Sequence, residues 1–63
     1  MTDLAYRIAE QLTEDRKGVY DLNAIADHFR KHYREHGNWN MHIADVDFLI
    51  QIHRIDSGNQ PES

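Results

Sequence analysis

The sequence has no cysteine, one proline and three glycines, and no run of about 18 apolar residues. Without cysteine there can be no disulfide framework, thiolate zinc site, iron–sulfur cluster or cysteine nucleophile. The glycines stand alone at 18, 37 and 58, so no glycine-rich loop is available to cradle a phosphate. No Gly-x-Ser-x-Gly turn occurs. Ser57 and Ser63 fall in an apparent tail, and Thr2 and Thr13 fall on a helical segment, which leaves no hydroxyl nucleophile with a base beside it. No lysine-flanked apolar block or lipidation motif is evident, so the expected location is cytoplasmic.

What is present is a chain of 63 residues with 40% hydrophobic and 29% charged residues, the balance of one small folded domain. At this length only about 60% of the unfolded chain's surface becomes buried, so the core is small and a deep catalytic pocket is hard to build. The expectation is a non-enzymatic protein without cofactor or small-molecule substrate.

Three segments have helical spacing, which predicts an all-α three-helix bundle over residues 3–15, 22–36 and 40–55, in one domain (1–56) with a disordered tail (57–63). In the first, Thr2 or Asp3 can cap the start, and Leu4, Ala5, Ile8, Ala9 and Leu12 share a face; Gly18 suits a left-handed exit. In the second, Asp21 or Asn23 can cap, Leu22, Ile25, Ala26, Phe29 and Tyr33 make the stripe, and Gly37-Asn38 ends it. The third is ambiguous. Met41, Ala44, Phe48, Ile52 and Ile55 recur as on a helix, yet Val46, Phe48, Ile50 and Ile52 also alternate as in a strand. A strand would need a pairing partner, and none is evident elsewhere, which favours the helix.

That third helix is apolar on two sides, with Ile43, Val46 and Ile50 opposite the main stripe. Those three residues either pack under the Gly37–Asn40 loop and Trp39 or form an exposed strip. Trp39 itself suits either a bundle-closing core position or a partner anchor. The expected contact surface is therefore Trp39, Ile43, Val46 and Ile50, rimmed by Arg30, Lys31 and Arg34. It would dock a helical apolar face on a protein partner or on a second copy.

Two other constellations carry alternatives. The formal net charge is −4, but residues 16–36 are locally basic: Arg16, Lys17, Arg30, Lys31 and Arg34 face only Asp21, Asp27 and Glu35. A dimer presenting two such surfaces could meet DNA as a transcriptional regulator. Against it, no second helix follows Leu22–Phe29 at helix-turn-helix spacing, and the overall acidity opposes phosphate binding. The seven carboxylates Asp3, Glu10, Glu14, Asp15, Asp45, Asp47 and Asp56 serve either as solubilising charge or as a surface for a basic partner.

Finally, His28, His32 and His36 stand at i, i+4 and i+8. Adjacent pairs could chelate Zn, Ni or Cu, but the outer two are about 12 Å apart along the helix and cannot share an ion. No glutamate lies between the first pair to act as a base. A metal site would need His42, His53, Asp45 or a second chain to close it. Five histidines also predict loss of helicity or of a dimer between about pH 7 and pH 5, because stacked imidazoles repel once protonated.

Overall fold

The computed structural model describes residues 3–56. They form three helices in chain order, α1 (Leu4–Glu14), α2 (Leu22–His36) and α3 (Ile43–Ile52). The expected tail, residues 57–63, lies outside the described residues.

Each helix start is fixed by a side chain that accepts from an otherwise unbonded amide. Asp3 accepts from the Tyr6 N–H at 2.9 Å, Asp21 from the Ala24 N–H at 3.1 Å, and the His42 Nδ1 from the Ala44 N–H at 3.1 Å. A helix end is equally explicit at Gly37, where a left-handed φ of 76° lets the amide donate to the Tyr33 carbonyl at 2.7 Å. Gly18 does not cap α1, which closes at Asp15. It has a φ of 113° in the following turn instead, where a Cβ would come within 2.5 Å of the Arg54 guanidinium.

The core is assembled from Ala5 and Ala9 of α1, Ile25, Ala26 and Phe29 of α2, and Val46, Leu49 and Ile50 of α3. No polar or charged residue is buried among the described residues. The two alanines, one turn apart, let α2 approach α1 closely, while Ile8 and Leu12 pack beside them half-buried. Trp39 and Met41 cover the core from the loop between α2 and α3. Trp39 stacks on Tyr33, with ring centroids 4.4 Å apart and planes 14° from parallel, so it closes the bundle.

Two features of the third segment differ from the sequence expectation. First, α3 spans ten residues instead of residues 40–55. Its last carbonyls give way to a short antiparallel pairing of Tyr20 with Arg54: the Asp21 N–H donates to the His53 carbonyl at 2.9 Å, and the Ile55 N–H donates to the Val19 carbonyl at 2.8 Å. The alternating residues Val46, Phe48, Ile50 and Ile52 are thus all helical, and the pairing involves only the residues that follow them, with the segment between α1 and α2 as its other side. Second, the face that α3 buries is the opposite of the expected stripe. Val46 and Ile50 are core residues, while Phe48, Ile52 and Ile55 are exposed. The reason is Leu49. With Val46 and Ile50 it completes an i, i+3, i+4 set spanning about 100° of helix surface, enough to fill the space above α1 and α2.

Ion pairs fasten the ends. Arg16, after α1, pairs with Asp47 on α3, and Arg30 on α2 pairs with both Asp3 and Asp27. Arg54 pairs with Asp56 at 2.8 Å. All of them are partly or largely exposed, so each adds little to stability.

Candidate functional site

Because α3 buries Val46, Leu49 and Ile50, its other side carries Ala44, Phe48 and Ile52 at i, i+4 and i+8, directly above one another. Phe48 is 65% exposed and Ile52 52%. Ile55, 63% exposed, follows just beyond the helix, where its N–H donates to the carbonyl of Val19, itself 56% exposed. An apolar face just over two turns long therefore has no covering element among the described residues. Single exposed leucines and isoleucines need no explanation on a protein surface; an aligned set with a phenylalanine at its centre does.

The residues expected to form the contact surface do not come together. Val46 and Ile50 are in the core and cannot meet a partner, Ile43 is exposed at the start of α3, and Trp39 is half-buried on Tyr33. Of the basic rim, Arg30 is engaged: its guanidinium donates to Asp3 at 2.9 Å and also to Asp27. Those contacts raise the Arg30 pKa, and the Arg30 hydrogen bond, aided by the Tyr6 amide, holds the Asp3 carboxyl below its usual value. Lys31 and Arg34 are exposed. Two cations on one helix make a small phosphate-binding surface, since each neutralised phosphate contributes separately to nucleic-acid affinity.

The row His28, His32, His36 is divided among different partners. His32 Nδ1 lies 2.9 Å from the Asn38 carbonyl oxygen, which identifies that nitrogen as the donor, and its ring packs on His36 with centroids 4.5 Å apart. His28 turns away to His53, with 3.1 Å between their Nε2 atoms. His42 is occupied as the cap of α3. No group of three or more His, Asp or Glu side chains converges on one point among the described residues.

Surface depressions lie beside α1 and α2. One of about 290 Å³ is lined by Ala24, Asp27, His28 and Lys31, and one of about 470 Å³ by Glu10, Gln11, Thr13, Glu14 and Leu22. The Thr13 hydroxyl there donates back to its own helix, 3.0 Å from the Ala9 carbonyl and 3.2 Å from that of Glu10. No helix among the described residues is long and apolar enough to cross a membrane. Comparison with protein-family models, with curated proteins and with solved structures finds no match.

Proposed function

We propose that this protein is a small non-enzymatic interaction module whose working surface is the outer face of α3, and that the occupant of that surface is a second copy of the chain. The carrying observation is the aligned exposure of Ala44, Phe48 and Ile52, with Ile55 exposed just beyond the helix.

The order of sizes along the face favours a copy as the occupant. In an antiparallel two-fold arrangement the middle residue meets itself and the ends exchange. Phe48 then packs on Phe48 of the copy, and Ala44, the small residue, receives Ile52. The charges agree with that direction. Asp45, at the start of α3 and in none of the ion pairs of the described residues, comes opposite the end of the copy's helix, where His53 and Arg54 follow. Antiparallel helix dipoles are also complementary.

The face is short, and this bounds the affinity. Ten residues give a helix about 15 Å long, well below the roughly 800 Å² per partner of a stable complex unless the Val19–Ile55 end contributes. Phe48, Ile52 and Ile55 are each about half exposed, so covering them gains roughly 1 kcal/mol apiece. Across two copies that is roughly 6 kcal/mol, against an association cost of about 4 kcal/mol or more. A weak dimer of about 10–100 µM, about 5.5–7 kcal/mol net, therefore also needs about 4 kcal/mol from the Phe48 ring pair, Ala44 and the exposed Val19 at the end of the face.

Sedimentation equilibrium over about 5–500 µM tests this. The expected result is a monomer–dimer transition within that range, which Phe48→Glu abolishes while leaving the circular dichroism spectrum intact. Each copy carries a net charge of −4, so added salt should tighten the dimer by screening like charges. A basic partner protein would show the opposite salt dependence. A monomer at every concentration refutes the self-association.

A further inference from the structure

We propose that His28 and His53 form a two-imidazole binding site for a divalent late first-row metal ion, Zn2+, Ni2+ or Cu2+. The two residues are 25 positions apart and on different elements, His28 in the second turn of α2 and His53 closing α3. Their Nε2 atoms nevertheless face each other at 3.1 Å, with ring centroids 5.2 Å apart and planes inclined by 48°.

That separation is near what a metal requires. A tetrahedral ion with metal–nitrogen bonds of about 2.0–2.1 Å holds two donors about 3.3–3.4 Å apart, so the pair has to open by only a few tenths of an ångström. Without metal, one Nε2–H donates to the other ring's lone pair. For both rings to coordinate, the donating imidazole carries its hydrogen on Nδ1 instead, and both neutral rings then present an Nε2 lone pair with no net proton change. Imidazole is a donor that suits Zn, Ni and Cu over Mg or Ca.

The surroundings set the character of the site. The depression beside His28, lined by Ala24, Asp27 and Lys31, leaves an open side where water completes the coordination. No third protein donor converges there among the described residues. Lys31 repels a cation from one side, and Asp27, itself engaged with Arg30, offsets it from the same helix. The site is therefore open and exchangeable, and because its two ligands come from α2 and from the end of α3, a bound ion ties those elements together. The sequence row His32 and His36 is the competing location: those rings are adjacent, but His32 has already committed Nδ1 to Asn38.

The test uses the full chain. Substoichiometric Cu2+ or Ni2+ broadens nearby resonances in two-dimensional NMR, and Zn2+ titration by calorimetry gives the affinity. Broadening centred on His28 and His53 is expected, together with a rise of several degrees in the melting midpoint at tenfold excess Zn2+, since the ion binds only the folded juxtaposition. His28→Asn, at an exposed position, should remove the broadening, the heat and the thermal shift while the fold is retained. The double variant His32→Asn/His36→Asn should keep all three. Broadening centred on His32 and His36, no heat or broadening at tenfold excess metal, or an affinity within twofold of wild type in His28→Asn would each overturn the proposal.

Discussion

The assignment of the two faces of α3 makes opposite demands on neighbouring residues, and a pair of alanine substitutions separates them. Ile50 has no exposed surface, and it sits among Val46, Leu49, Ile25 and Phe29 in the core cluster. Ile50→Ala removes three carbons, a transfer loss of about 2.4 kcal/mol, and the partly unfilled space brings the cost to roughly 3–4 kcal/mol. A domain of this size has a total stability of only about 3–9 kcal/mol, so the variant should lose a third of it or more. At about 4–8 °C per kcal/mol the melting midpoint drops by at least about 12 °C, or the transition disappears altogether. Phe48 is 65% exposed on the other face. Phe48→Ala should change monomer stability by no more than about 0.5 kcal/mol, helped by the better helix propensity of alanine. Urea unfolding followed by circular dichroism, at a few micromolar so that the monomer is measured, reads both. If Phe48→Ala cost as much as Ile50→Ala, or if Ile50→Ala were neutral, α3 would be rotated by half a turn and the docking face would be the wrong one.

Further outcomes follow from the caps, the glycines and the ion pairs. Asp21→Ala takes away the acceptor for the Ala24 amide and should cost about 1 kcal/mol, while Asn at the same position should restore most of it. Gly37→Ala should cost about 1 kcal/mol from backbone strain alone, since φ is 76° and a Cβ there meets nothing within 4 Å; Gly18→Ala should cost more, because the Arg54 guanidinium also has to move. Acid titration of stability should show a loss below about pH 4. The Arg30 hydrogen bond and the Arg54 hydrogen bond hold Asp3 and Asp56 respectively below the ordinary 3.8, so the stability these pairs contribute is present above that value and is lost as the pH falls through the lower folded values. The double variant Asp3→Asn/Asp56→Asn should flatten that acid limb.

The first two helices were legible because their determinants are local. Asp3 and Asp21 cap within three residues, Gly37 terminates within four, and the stripes of α1 and α2 each point one way. Asp27 beside Arg30 is also a one-turn relation. What escaped was decided across the chain. The pairing of Val19–Asp21 with His53–Ile55 is too short to show a strand pattern at its first half, so the ambiguity of the third segment was resolved as helix throughout when it is helix and then extended. The contact of Asp3 with Arg30 spans 27 positions and that of His28 with His53 spans 25, and no spacing rule reaches that far. The choice between the two faces of α3 did have a signal. Leu49 belongs with Val46 and Ile50 on a contiguous arc, and the two opposite apolar sides read from the sequence do not include it.

The exposed face and the small core act on the same free energy. A ten-residue helix is too short to persist alone in water, so α3 holds its shape through three core side chains, the His42 cap and the Tyr20–Arg54 pairing. Exposed apolar residues on its outer side add nothing to that hold in the monomer. Covered by a second copy, they stabilise the folded state by mass action, because the unfolded chain presents no such face. Dimerisation and folding of α3 are then linked: the melting midpoint should rise with protein concentration through the range where dimers form. In Phe48→Glu, which stays monomeric, it should not move. A wild-type midpoint that stays constant from about 5 to 500 µM would mean that the outer face of α3 contributes nothing to the stability of the molecule in solution, and the self-association would have to be abandoned.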